Sequence, residues 1–211
     1  MDYDTIQLYV QHPVVLVNGK TPIEHGWTDH AVTLESAQTA FAQNLADGLG
    51  IRLGPQTGFI DIEEDSPEAE SSWLHFADSN PVEWESARGW HHLFRFPDYL
   101  HDVDAAKFKR DTGLEFRASH DQQSVLPPAN GRVWINNSEA RFLLGDVPLL
   151  PQSIIDQLPR REQNEQQLPT ASDRPGDIYN ATAEWRELLI PLGWTWVGSG
   201  KATAQAIRTW R

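Results

Sequence analysis

Cysteine is absent from this chain, so disulfides, thiolate zinc sites and cysteine nucleophiles are excluded. No apolar run approaches the roughly 20 residues of a membrane span. Positive charge is scarce: 17 Lys and Arg stand against 30 Asp and Glu, for a formal net charge of -13. That balance argues against a generally basic nucleic-acid surface. It leaves room for a local one, because the segment 186–211 holds Arg186, Lys201, Arg208 and Arg211 against only Glu187. The opening Met1-Asp2-Tyr3-Asp4 is acidic and unlike a signal peptide. Together these features predict a cytoplasmic protein. The 211 residues, 39% hydrophobic, suffice for one large domain, or for a domain with an appendage. Tryptophan is plentiful, at nine residues. Aromatics can stack on bases, but core packing is their ordinary use.

The most telling stretch is Gly58-Phe59-Ile60-Asp61-Ile62-Glu63. In a strand, residues i and i+2 share a face. Asp61 and Glu63 then stand side by side, with Ile60 and Ile62 buried behind them. Adjacent carboxylates repel unless a positive charge lies between them. Hard oxygen ligands suit Mg²⁺ or Mn²⁺, which makes this a candidate two-metal site for phosphoryl or nucleotidyl transfer. The competing reading is a solvated acidic turn, because Glu64, Asp65, Glu68 and Glu70 follow directly. Those four are assigned to solvated surface.

Along the chain, Val14–Val17 reads as a strand closed by the turn Asn18-Gly19-Lys20. A helix is expected from Glu35 to about Asp47, with Ala37, Ala40, Phe41 and Leu45 on its apolar side and Gly48 and Gly50 ending it. Ile51-Arg52-Leu53 is a short strand, followed by Phe59–Glu63. Ser66-Pro67 opens a helix carrying Ala69, Trp73, Leu74 and Phe76. Further strands cover 89–96, 113–117, 124–126 and 133–135, and a short helix covers 149–155. The polar stretch 160–170 reads as a linker. A helix over 181–189 and a strand over 193–197 follow. Irregular alternation favours a mixed α+β fold over a doubly wound one.

Two further strands repeat the alternation seen at Asp61. In Gly89-Trp90-His91-His92-Leu93-Phe94-Arg95, His91 and Arg95 share one face, expected to border a solvent-filled site. His92, Phe94 and Phe96 share the other, so His92 is structural. A His and an Arg so placed can hold a triphosphate. In Gly113-Leu114-Glu115-Phe116-Arg117, one face carries a carboxylate and a guanidinium. Read alone, that pair is a cross-strand salt bridge.

The order of these pieces resembles the N-terminal primase–polymerase domain of bifunctional replication proteins from plasmids, phages and mobile elements. Those proteins belong to the archaeo-eukaryotic primase superfamily. The matching pieces are Gly19-Lys20-Thr21-Pro22 with Gly26-Trp27, Gly50-Ile51-Arg52-Leu53-Gly54, Asp61-Ile62-Glu63, Gly89 to Arg95, Gly113 to Arg117, and Val125-Leu126-Pro127-Pro128. They span Val10 to Trp134. Ala87 and Arg88 depart from the small Ser-Gly pair usual before the family histidine.

The resemblance implies an RRM-like catalytic core with a mixed or antiparallel sheet flanked by helices, over residues 1–158. A linker over 159–173 and a small helical segment over 174–211 would then lead toward a helicase module. By the same resemblance, Asp61, Glu63 and Glu115 are ligands of two divalent ions, Mg²⁺ or Mn²⁺. His91 contacts the triphosphate of the incoming nucleotide, and Arg95, Arg117 and Arg52 complete the nucleotide-binding set. The implied partners are a single-stranded DNA template and NTP or dNTP, with no membrane. The implied reaction is primer synthesis and extension by two-metal nucleotidyl transfer. Two rivals stand beside it. One is an inactive single-stranded DNA-binding module. The other is a metal-dependent replication-initiation nuclease, which ordinarily needs two histidines separated by one apolar residue rather than the adjacent His91 and His92.

Overall fold

A computed structural model describes residues 3–161, which form one compact unit. The linker expected over 159–173 begins within the described residues, where Arg160 forms a β-bridge with Val103; the rest of it and the helix, strand and appendage expected beyond it lie outside the described residues. Two antiparallel sheets organise the unit. The first takes the order β2-β1-β3-β8, from β1 (Val14–Asn18), β2 (Thr21–Pro22), β3 (Gly48–Arg52) and β8 (Gln123–Val125). The second takes the order β7-β4-β6-β5-β9, from β4 (Phe59–Glu64), β5 (Val82–Ser86), β6 (Gly89–Arg95), β7 (Glu115–Arg117) and β9 (Val133–Trp134). Six helices flank them: α1 (Tyr3–Tyr9), α2 (Leu34–Ala42), α3 (Pro67–Trp73), α4 (Ala105–Thr112), α5 (Ser138–Leu143) and α6 (Gln152–Ile155). This is the expected α+β architecture with antiparallel sheets.

The two faces of the second sheet bury different partners. Behind β4, Ile60, Ile62, Phe94 and Phe116 pack on Ala69 and Trp73 of α3, Phe108 of α4, and Ile154 and Ile155 of α6. On the other face, Val82, Trp84 and Leu93 join Val14, Leu16, Leu49 and Ile51 of the first sheet in one core. The carboxylate face is therefore roofed by the first sheet rather than filled with solvent, and Asp61 is fully buried.

Backbone pairing holds β8 on β3. A Cβ on Gly48 would stand 2.3 Å from the Ala129 Cβ, so the turn after β8 lies this close to β3 because Gly48 has no side chain. A Cβ on Gly50 would meet only the movable end of Gln123, with Oε1 at 2.1 Å. Gly48 and Gly50 thus belong to a strand and do not end a helix. The α2 helix stops at Ala42, with Asn44 at a positive φ of 55°. Leu45 lies past its end and is exposed. Its start follows the sequence: Thr33 accepts the Ser36 N–H, and Ser36 Oγ returns the bond to the Thr33 N–H. Helices α1, α4 and α5 have no counterpart in the sequence reading. Gly113, assigned there to a strand, is the left-handed cap of α4. Leu74, expected on an apolar face, is exposed in a 3₁₀ turn over Leu74–Ser79.

Glu64 corrects the reading of the acidic run. It closes β4 at 7% exposure and accepts a hydrogen bond from His92 Nε2 at 3.1 Å. His92 Nδ1 donates to Glu83 at 2.9 Å, and the ring stacks on Trp73 with centroids 3.6 Å apart. Both ring nitrogens donate to carboxylates, so the cationic ring satisfies the whole cluster. Burial disfavours that charge, but the hydrogen bonds to Glu64 and Glu83 and their negative charges outweigh it. His92 therefore titrates above its ordinary 6.5. A raised folded pKa contributes stability that is full below the unfolded value and is lost as pH rises through the folded one. The stability advantage of the native chain over His92→Gln should be largest below about pH 6.5 and shrink at higher pH. Urea midpoints of both proteins across that range would show it. An advantage constant with pH would mean that the ring is held neutral.

Candidate active site

Register fixes which side chains meet. On β4, Asp61 lies opposite Leu93 of β6 and Arg117 of β7, and Glu63 lies opposite His91 and Glu115. Alternation puts Asp61, Glu63, His91, Glu115 and Arg117 on one face, as their sequence spacing predicts.

Asp61 is the hub. Its Oδ2 accepts from His91 Nδ1 at 2.8 Å and from the Ser124 hydroxyl of β8. Its Oδ1 is buried with no partner. Burial pushes the carboxyl pKa up. His91, Arg117 and Ser124 together outweigh burial and hold it below the ordinary range. Because a carboxylate only accepts, the Asp61 contact places the proton on His91 Nδ1. The imidazole lies parallel to the buried Trp84 indole, at 9° with centroids 4.8 Å apart. Two constraints, a hydrogen bond and a stacking plane, therefore fix the ring. His91 Nε2 is left buried without a hydrogen bond, 3.9 Å from Glu63 Oε1.

Arg117 knits the acids together. Its Nη1 donates to Glu63 Oε2 at 3.1 Å and lies 4.0 Å from Asp61 Oδ2. Its Nη2 donates to the Gln123 carbonyl at 2.7 Å, and its Nε lies 3.8 Å from Glu115 Oε1. Glu63 also faces Arg88 Nη2 at 3.7 Å. Glu115 accepts from Lys109 Nζ of α4. Each carboxylate thus holds a protein cation at close range.

The other sequence candidates lie apart from this cluster. Arg95 shares the face but sits at the exposed end of β6, opposite Phe59. Arg52 donates to the carbonyls of Pro13, Trp27 and Thr28, which ties two loops together. The sequence reading passed over Ser124, Trp84 and Lys109 as site residues. Lys109 was within reach: it stands six positions before Glu115, across the Gly113 cap. Ser124 reaches Asp61 only through the contact between sheets, and no local pattern announces it.

Among the described residues no three histidine or acidic groups stand together as a ready metal cage. The chemistry of the set still suits a hard cation. All the candidate donors on Asp61, Glu63 and Glu115 are oxygens, and Asp61 Oδ1 is an unpartnered buried acceptor. Mg²⁺ retains several waters and is commonly held by one or two carboxylates plus substrate phosphates, so a closed cage is not required.

Removing Arg117 leaves three carboxylates on facing positions without their shared cation. Arg117→Ala should cost about 2–3 kcal/mol, somewhat less than a fully buried pair because the guanidinium keeps some solvent contact. Urea unfolding measures this loss. A loss below about 0.5 kcal/mol, the level of a surface pair, would show that Arg117 does not neutralise the cluster.

A sequence model described as bifunctional DNA primase/polymerase, N-terminal, matches residues 8–154. No curated protein matches the chain. The match runs through both sheets and takes in every residue of the acidic face, and on that ground the chain belongs to the bifunctional DNA primase/polymerase N-terminal family.

Proposed function

We propose that this domain is an active DNA primase/polymerase, which joins nucleotides on a single-stranded DNA template. The observation that carries the reading is the unfilled pair of polar atoms at the hub. Asp61 Oδ1 and His91 Nε2 are both buried, both lack partners, and lie on residues locked to each other. Buried polar atoms without a protein partner are uncommon, and a bound ligand, ion or water is what completes them.

Asp61, Glu63 and Glu115 are the residues that would hold two divalent ions. Bound there, such ions supply charge stabilisation for the attacking hydroxyl and the pyrophosphate leaving group. The chain's own residues do the rest. His91, fixed by Asp61 and Trp84, turns Nε2 toward the acidic face, and with a proton on each ring nitrogen it would donate there to a phosphate oxygen. Arg117 lies beside the carboxylates where that charge collects. The first sheet roofs the site and excludes water, which strengthens each of these interactions. Ser124 holds Asp61 in one orientation. With a whole-chain charge of -13, nucleotide attraction has to arise locally, at the ions and these cations.

The assay is labelled NTP or dNTP on single-stranded templates with Mg²⁺ or Mn²⁺, with and without primer. Asp61→Asn and Glu63→Gln keep side-chain shape and should each reduce synthesis by at least ~100-fold while remaining folded. Full synthesis by the double variant would sink the proposal. Calorimetry covers the non-catalytic alternative: a simple single-stranded DNA-binding module shows no metal-dependent nucleotide binding.

A further inference from the structure

Arg132 belongs to none of the roles above. It follows the Pro127–Pro128 turn and a short 3₁₀ segment, Ala129–Gly131, and leads into β9. It is only 7% exposed, and its Nε is buried without a partner. Its one hydrogen bond is a long one, Nη1 to the Ala129 carbonyl at 3.4 Å. A guanidinium carries five donors, so most of its hydrogen-bonding capacity is unused.

This chain shows how it treats arginines that serve as struts. Arg52 donates to three backbone carbonyls. Arg141 donates to the Asn80 side chain and to the Asn80 and Pro81 carbonyls. Arg132 follows neither pattern. Its surroundings are those of the acidic face: Glu63 and Asp61 attract its charge, while Arg88 and Arg117 repel it. Register puts Arg132 on the same side: Trp134, two positions on, pairs with Trp84, whose indole stacks on His91. Two further guanidiniums, Arg88 and Arg117, lie 3.7 and 3.1 Å from Glu63. A single carboxylate cannot saturate three forks. A ligand with several negative oxygens can, and bidentate oxyanion contacts are what a guanidinium fits.

We propose that Arg132 binds the triphosphate of the incoming nucleotide, from the turn that follows Pro127–Pro128. The proposal rests on the polymerase reading and adds to it a residue outside the strands that carry the carboxylates. Arg132 acts here as a substrate-binding group: its unused donors take phosphate oxygens, and its burial excludes competing water.

The test is calorimetric, with a dNTP, inorganic tripolyphosphate and the unphosphorylated deoxynucleoside titrated into the native chain and Arg132→Gln with Mg²⁺ present. The variant should bind dNTP and tripolyphosphate about 10- to 100-fold more weakly, the usual range for a lost charged hydrogen bond. Arg132→Lys should recover part of that loss. Equal affinity of native and Arg132→Gln proteins overturns this proposal alone. No binding by the native protein overturns the polymerase reading and this proposal with it. If Arg132→Gln fails to fold, NMR of the native chain decides: the Arg132 Nε–H resonance should shift when tripolyphosphate is added and not with the deoxynucleoside. An unmoved resonance overturns the assignment.

Discussion

Repulsion between Asp61 and Glu63 is the constraint around which this domain is built. Two carboxylates on one strand face, with Glu115 on the next strand, would separate or protonate if left alone under a second sheet. The fold answers with a hydrogen bond from His91 of β6 and with positive charge from Arg117 of β7, Lys109 of α4 and Arg88 of the β5–β6 turn. The roof could not close on Asp61 without these partners. The partners in turn fix the positions of the acidic side chains.

The roof is also a consequence of strand pairing. Paired to β3, β8 brings Ser124 to Asp61 and the Gln123 carbonyl to Arg117. The site is therefore assembled from both sheets, and neither sheet alone would hold Asp61 in one orientation. The opposite face of β4 serves a separate purpose. There Glu64, Glu83, His92 and Trp73 form a satisfied cluster, which donates and accepts without leaving atoms free. One face is saturated and the other is left incomplete, as expected where one stabilises and the other receives a ligand.

Alternation made much of this legible. Spacing of two placed Asp61 with Glu63, His91 with Leu93 and Glu115 with Arg117, and the order of motifs carried the family. What remained hidden depends on contacts far apart in sequence. Glu64 looked like the start of a solvated acidic run, because its partner His92 lies 28 positions away. Arg52 looked available for nucleotide, because nothing local reveals the three carbonyls that hold it. Helix α1 buries only Ile6 and Tyr9, too sparse a stripe to announce a helix. Arg132 gave no signal, since its interest lies in bonds it does not make.

The neighbouring histidines raise a problem of identity. A strand that slips by one residue turns every side chain to the other face. Slipped β6 would still offer an imidazole to Asp61, so the acidic face by itself discriminates poorly between the two pairings. The other face supplies the discrimination. Glu64 and Glu83 bracket one imidazole from two different strands while Trp73 lies flat upon it; a slip that sets His92 opposite Glu63, in the place of His91, puts Leu93 in that berth and leaves the acids without a ring, whereas the opposite slip puts His91 there. The buried acids behind the sheet thus work as an address label against one slip: the one that would set His92 where His91 now faces Glu63.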